Sequence, residues 1–129
     1  MQEDPKPQLV KMEPAELENF KKLAMVNIII FLKLYGIKNE QGIKLDFKNH
    51  LFLWDIFLDF HPKQVILKAA QVGFSTLAII KSLWLAHNRQ MDLIYTLPTL
   101  ADVQDFVGGK VNRIIAQNQV LKEYVRDRD

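Results

Sequence analysis

The residues best suited to chemistry in this chain lie in one short stretch around Gly73. Lys68 begins the stretch and Thr76 ends it, between the apolar run 65–67 and the apolar helical pattern 77–85. A turn from a strand into a helix suits an anion, because backbone N–H groups at a helix N-terminus are free to donate and the helix dipole favours negative charge there. The stretch therefore predicts a phosphate-binding loop.

The spacing departs from the usual phosphate loop, G-x-x-x-x-G-K-[ST], at two positions. Gly73 matches the second glycine and Ser75 matches the hydroxyl that binds magnesium, whereas Phe74 replaces the lysine and Lys68 replaces the first glycine. Lys68 can supply the missing positive charge from the other end of the loop, and the ring of Phe74 is expected to pack into the domain. A turn with one glycine and one serine also occurs in α/β proteins that bind nothing there, so the loop alone leaves both interpretations open.

The stretch K-A-A-Q-V-G-F-S resembles the deviant Walker A loop of large terminase subunits of the lambda-type branch, the motors that package DNA into tailed phages. In that family a lysine at the start of the loop replaces the usual one. The similarity covers residues 45–125, including the lead-in segment 47–63 and the downstream segments 93–99 and 105–115.

The resemblance implies that the chain binds ATP and Mg²⁺, with Lys68 as the catalytic cation and Ser75 as the magnesium ligand. It also implies double-stranded DNA, the small terminase subunit and the portal as partners, in an oligomeric motor in the host cytoplasm. The implied nucleotide-binding residues are Lys68, Ala69, Ala70, Gln71, Val72, Gly73, Phe74, Ser75 and Thr76. No apolar strand ending in paired acids follows Thr99, and the coupling motif and nuclease carboxylates are also missing. We therefore expect the first part of an ATPase domain, which does not hydrolyse ATP by itself.

The elements that must position this loop are two strands and a helix. Residues 64–69 and 90–96 are short, apolar runs and predict buried strands, and residues 76–87 predict the helix between them. Such βαβ units are almost always right-handed and parallel. The predicted fold class is α/β, a partial P-loop (ASCE-type) ATPase fold with an added N-terminal helix.

The rest of the chain predicts helices and one tail. Residues 1–13 are expected to be a mobile tail without a signal peptide, and residues 14–36 an N-terminal helix capped by Gly36. Its apolar run, 23–32, is interrupted only by Asn27. The run is about half of the roughly 20 residues that a membrane-spanning helix needs, so we expect protein rather than lipid to bury it. Residues 48–59 and the segment after Thr99 predict further helices. Thr99 is expected to cap the second of these, and Gly108-Gly109 to kink it.

Composition excludes several classes of site. The chain has no cysteine, which excludes a disulfide scaffold and a thiolate metal site. Its three histidines lack metal-ligand spacing, and its formal net charge of +2 gives no broad electrostatic footprint for DNA. Two alternatives to the terminase stay open. One is a helicase-like ATPase fragment acting on nucleic acid, and the other is a non-enzymatic interaction domain that docks through the N-terminal helix.

Overall fold

The computed structural model describes residues 12–48, 50–70 and 72–125, and within them the regular structure is helical. The predicted tail therefore lies almost wholly outside the described residues, as do residues 126–129. The helices are α1 (Pro14–Val26), α2 (Ile28–Leu34), α3 (Phe52–Leu58), α4 (Phe74–Arg89), α5 (Leu100–Phe106), a π-helical turn (Val107–Val111), α6 (Asn112–Gln117) and α7 (Gln119–Tyr124).

The α/β prediction is wrong, because the described residues contain no β-sheet. Residues 64–69 and 91–97 are extended, but neither segment pairs with the other, and the only β-bridge described joins Lys38 to Lys44. An apolar run makes a segment suitable for a buried strand. A strand also needs a neighbouring strand whose N–H and C=O groups hydrogen-bond with its own. Nothing in the described chain supplies that neighbour, so the predicted parallel βαβ unit and P-loop ATPase fold do not form.

The predicted N-terminal helix is two helices that meet at Asn27. The Asn27 side chain accepts hydrogen bonds from the backbone N–H groups of Ile29 (2.9 Å) and Ile30 (3.3 Å), so it caps α2. Asparagine competes with the helix backbone in this way, which explains the break. Asn27, the one polar residue inside the apolar run, therefore marks the boundary between α1 and α2.

Helix α2 lies at the centre of the molecule, and the prediction that protein buries it is confirmed. Its side chains Ile28, Ile29, Phe31 and Leu32 are almost completely inaccessible to solvent. The other large buried side chains come from α3, α4, α6, α7 and the turn after α2: Phe57, Ile80, Trp84, Ile114, Leu121 and Ile37. Across the described residues, every helix is too short or too polar to cross a membrane.

One predicted helix start is confirmed, whereas the start of α4 and the length of α3 differ from the prediction. Thr99 caps α5 as predicted, with its hydroxyl oxygen accepting from the N–H of Asp102 at 3.1 Å. Helix α4 begins two residues earlier than predicted, at Phe74, directly after the glycine of the loop. Helix α3 is shorter than the predicted helix 48–59, and the glycine pair Gly108-Gly109 lies in a π-helical turn.

Candidate phosphate-binding site

Gly73 forms the entry to α4 in a conformation that other residues rarely adopt. Its φ is +78° and its ψ is 4°, in the left-handed region. A Cβ at this position would meet Leu53 Cδ1 at 3.9 Å, an ordinary contact, so the backbone angle rather than lack of space requires glycine. The turn at Gly73 lets a helix of 16 residues begin abruptly.

The first turn of α4 has backbone donors without acceptors in the described chain. The first bond of the helix runs from the N–H of Leu77 to the carbonyl of Gly73 at 3.2 Å. The preceding N–H groups of Phe74, Ser75 and Thr76 have no backbone acceptor among the described residues, and no side chain caps the helix. Such a helix start is suited to an anion.

A cavity of about 640 Å³ opens at this helix start. Val72, Gly73 and Thr76 contribute to its wall from the loop and the first turn, and Lys44 and Lys110 contribute two cations from elsewhere in the chain. The remaining lining is mixed, with polar and aromatic side chains that include Asn39, Glu40, His50, Phe47 and Phe57. The cavity therefore combines the backbone donors of the first turn and aromatic surface with two lysines and two carboxylates, Glu40 and Asp46.

A tight turn and a long-range hydrogen-bond pair position Lys44 and Glu40. The turn closes through the bridge between Lys38 and Lys44, and inside it Asn39 Oδ1 accepts from the N–H of Ile43 at 2.9 Å. The buried Asn118 side chain accepts from the N–H of Lys38 (2.7 Å) and donates to its carbonyl (2.8 Å). The turn is thus fixed to the α6–α7 junction.

Glu40 connects the turn to both α4 and the π-helical turn. Its Oε2 accepts a hydrogen bond from the Thr76 hydroxyl at 2.9 Å, and its Oε1 lies 4.0 Å from Lys110 Nζ. The Thr76 hydroxyl is therefore engaged with protein, whereas the half-buried Ser75 is the first-turn residue whose hydroxyl makes no hydrogen bond in the described chain. Of the two hydroxyls in the loop, Ser75 is the better candidate for a ligand.

Lys68 does not line the cavity at the helix start. It is exposed, and with Ala69, Val72 and Phe74 it lines a smaller neighbouring cavity of about 250 Å³. Val72 contributes to both cavities. The structure therefore brings Val72, Gly73 and Thr76 together and places Lys68 and Ala69 beside them, with Ala70 exposed and Gln71 outside the described residues.

The Phe74 ring packs into the protein, as the sequence analysis predicted. It is half-buried and contacts the hydrophobic core. Lys44 and Lys110, by contrast, were missed by the sequence analysis, because they lie 29 residues before and 37 residues after Gly73. The only sequence signal near Lys110 was the glycine pair Gly108-Gly109 just before it. The structure places this pair and Lys110 in a π-helical turn, and such turns occur frequently at functional sites.

Comparisons with known proteins found no match to the chain. No protein-family model, curated protein or solved structure matches the chain. Within the described residues no group of three or more histidine or acidic side chains could hold a metal ion. The cavity at the helix start is lined by Gly73, Thr76 and two lysines among others, whereas Ser75 lies in the first turn without lining it.

Proposed function

We propose that the chain binds ATP with Mg²⁺, with the triphosphate at the N-terminus of α4. The observation that carries this proposal is the left-handed Gly73, which opens a 16-residue helix onto a cavity that Lys44 and Lys110 also line. Backbone N–H groups at such a turn bind phosphate oxygens, and a lysine near them binds phosphate as a point charge.

Each residue of the site has a role in this proposal. The N–H groups of Phe74, Ser75 and Thr76 donate to phosphate oxygens, and Ser75 contributes its hydroxyl to a magnesium ion that keeps several of its waters. Lys44 and Lys110 neutralise phosphate charge from the cavity wall. Lys68 reaches the phosphates from outside, because its exposed side chain is long and its loop leads into Gly73.

We further propose that this segment belongs to a large terminase subunit that packages double-stranded DNA, with the small subunit and the portal as partners. The support for this is the loop sequence itself, which places Lys68 at the start, Gly73 at the turn and Ser75 in the first turn of the helix. The motor role needs residues for hydrolysis beyond those of the loop, so the activity proposed for this chain is binding alone.

The test is a titration of ATP and Mg²⁺ into the chain and three lysine variants. Lys68→Ala and Lys110→Ala should each weaken binding by about 1.5 to 3 kcal/mol, or roughly 10- to 100-fold, the range for losing a charge-assisted hydrogen bond. Lys22→Ala on the exposed face of α1 is the matched control and should bind like the parent. If neither Lys68→Ala nor Lys110→Ala changes the affinity for ATP, the loop only starts helix α4 and does not bind phosphate.

Phe74→Ala separates the structural role of the loop from its chemistry. The half-buried ring contacts the core, so its removal should lower the free energy of unfolding by roughly 3 kcal/mol. Lys68→Ala should leave unfolding nearly unchanged, because the Lys68 side chain is exposed. Thermal melting of both variants checks this contrast, and a large loss of stability in Lys68→Ala would contradict it.

One observation favours the interaction domain as a second candidate. Among the residues of α1 only Ala24 is buried, while Phe20, Leu23, Met25 and Val26 are all exposed. An apolar helix face of this kind is typical of a protein–protein contact. The same titration separates the two functions, because an interaction domain predicts no saturable ATP binding.

A further inference from the structure

Two extended segments of the chain, 64–69 and 91–97, have main chains without partners. Among the described residues, neither segment makes a backbone hydrogen bond. Their side chains are also uncovered: Val65 and Leu67 are 100% exposed and Ile94 is 92% exposed. Extended apolar segments with free N–H and C=O groups are the usual template for pairing with another chain.

A groove of about 600 Å³ lies beside the first segment and reaches the first residue of the second. Ile66 from the first segment and Met91 from the second both line it, and one face of α4 contributes Phe74, Ala78 and Leu85. The groove therefore has an apolar floor with charged residues at its sides, and the first segment contributes most of the unpaired main chain beside it. It shares Leu77 with the cavity at the start of α4, and the remaining lining residues of the two differ.

The unpaired main chains decide what kind of occupant fits. A helix bonds its own backbone and a lipid has no amide groups, so either would cover the apolar side chains and leave both rows of backbone groups without partners. An extended polypeptide can bond to these rows while its side chains enter the groove, which is the mode called β-augmentation.

Charge favours a foreign strand over a second copy of this chain. Lys81 and Arg89 line the groove against one carboxylate, Asp59, and Lys63 and Lys68 lie at the two ends of the first segment. Pairing this segment with its own copy would bring the flanking lysines of both copies together. A strand that carries carboxylates at its ends meets opposite charge instead.

We propose that the groove beside residues 64–69, which ends at Met91, binds an apolar β-strand with acidic flanks, supplied by a separate polypeptide. The strand hydrogen-bonds to the extended segments and packs its side chains on Ile66, Ala78 and Leu85.

The probe is a synthetic peptide of five consecutive valine and isoleucine residues between pairs of glutamates, added to the full chain. Binding should be saturable and should slow amide hydrogen exchange at residues 64–69 and 91–97, which exchange quickly in the free chain. The same peptide N-methylated at alternate backbone amides keeps the side chains but cannot pair. It should bind at least 10-fold more weakly. An amphipathic helical peptide of matched charge should leave the exchange unchanged.

Ile66→Lys in the groove should weaken peptide binding at least 10-fold, whereas Val26→Lys on the exposed end of α1 should not. Equal binding of the N-methylated peptide would overturn the proposal, because it would show that no main-chain pairing occurs. A chain that forms dimers with the same amides protected, in the absence of peptide, would overturn it in favour of a second copy. Both outcomes are readable even if Ile66→Lys fails to fold.

Discussion

The break between α1 and α2 leaves the carbonyl of Ala24 without a helical donor. Among the described residues, Trp84 supplies its hydrogen bond from a distant part of the sequence. Helix α1 ends at Val26, and the carbonyl of Ala24 has no backbone donor among the described residues. The indole N–H of Trp84, from α4, donates to this carbonyl at 3.0 Å. Trp84 is completely buried, so water cannot replace the bond.

Trp84→Phe should therefore destabilise the chain through two effects. Removing the N–H leaves the carbonyl of the buried Ala24 without a partner, which costs about 1 to 3 kcal/mol. The smaller ring leaves a void in the core, which adds about 1 kcal/mol. The sum of about 2 to 4 kcal/mol is a large share of the roughly 5 to 15 kcal/mol that stabilises a domain.

Trp54→Phe is the matched control. Trp54 is half-buried in an edge contact with Phe47, and its indole N–H makes no hydrogen bond in the described chain. Its replacement should cost less than about 1 kcal/mol. Urea unfolding followed by circular dichroism measures both variants. Equal losses would refute the assignment of a special role to the bond between Trp84 and Ala24.

Two further predictions concern the backbone and the pH. Gly73→Ala should destabilise the chain by about 1 to 2 kcal/mol, because the φ of Gly73 is positive. Gly108→Ala should stabilise the chain by about 0.5 to 1 kcal/mol, because Gly108 lies in a helical turn with open space around it. Melting temperatures of the two variants that shift in the same direction would contradict this. Burial raises the pKa of Tyr124 above its ordinary value of 10.0, an effect that a hydrogen bond with Asn88 opposes. Above about pH 10 the unfolded chain therefore loses a proton that the folded chain keeps, and stability falls as pH rises. Tyr124→Phe should make this alkaline fall shallower in urea unfolding, and an unchanged slope would contradict the prediction.

The sequence predicted those elements whose signals are local. The cap at Thr99 acts within one turn of the chain, and the burial of Ile28 and Phe31 follows from an apolar run with few polar interruptions. Gly73 was also found, because a glycine before a long apolar helical pattern marks a turn into a helix.

The errors arose where structure depends on distant residues. The runs around Ile66 and Ile94 are suited to strands, but pairing requires a neighbour that no local pattern reveals. Asn27 was interpreted as one polar residue in a continuous helix, although its side chain can cap a new one. Lys44 and Lys110 reach the site only because the turn anchored by Asn118 and the π-helical turn bring them there.

The claim that ATP phosphates bind at the N-terminus of α4 is tested most directly at the backbone amides themselves. Amide nuclear magnetic resonance spectra of the labelled chain can be recorded during titration with ATP and Mg²⁺, with AMP as the control that lacks the outer phosphates. The resonances of Phe74, Ser75 and Thr76 should shift and saturate with ATP, and should move much less with AMP. If ATP leaves these three amides unchanged, or if AMP shifts them equally, the proposed phosphate site is wrong.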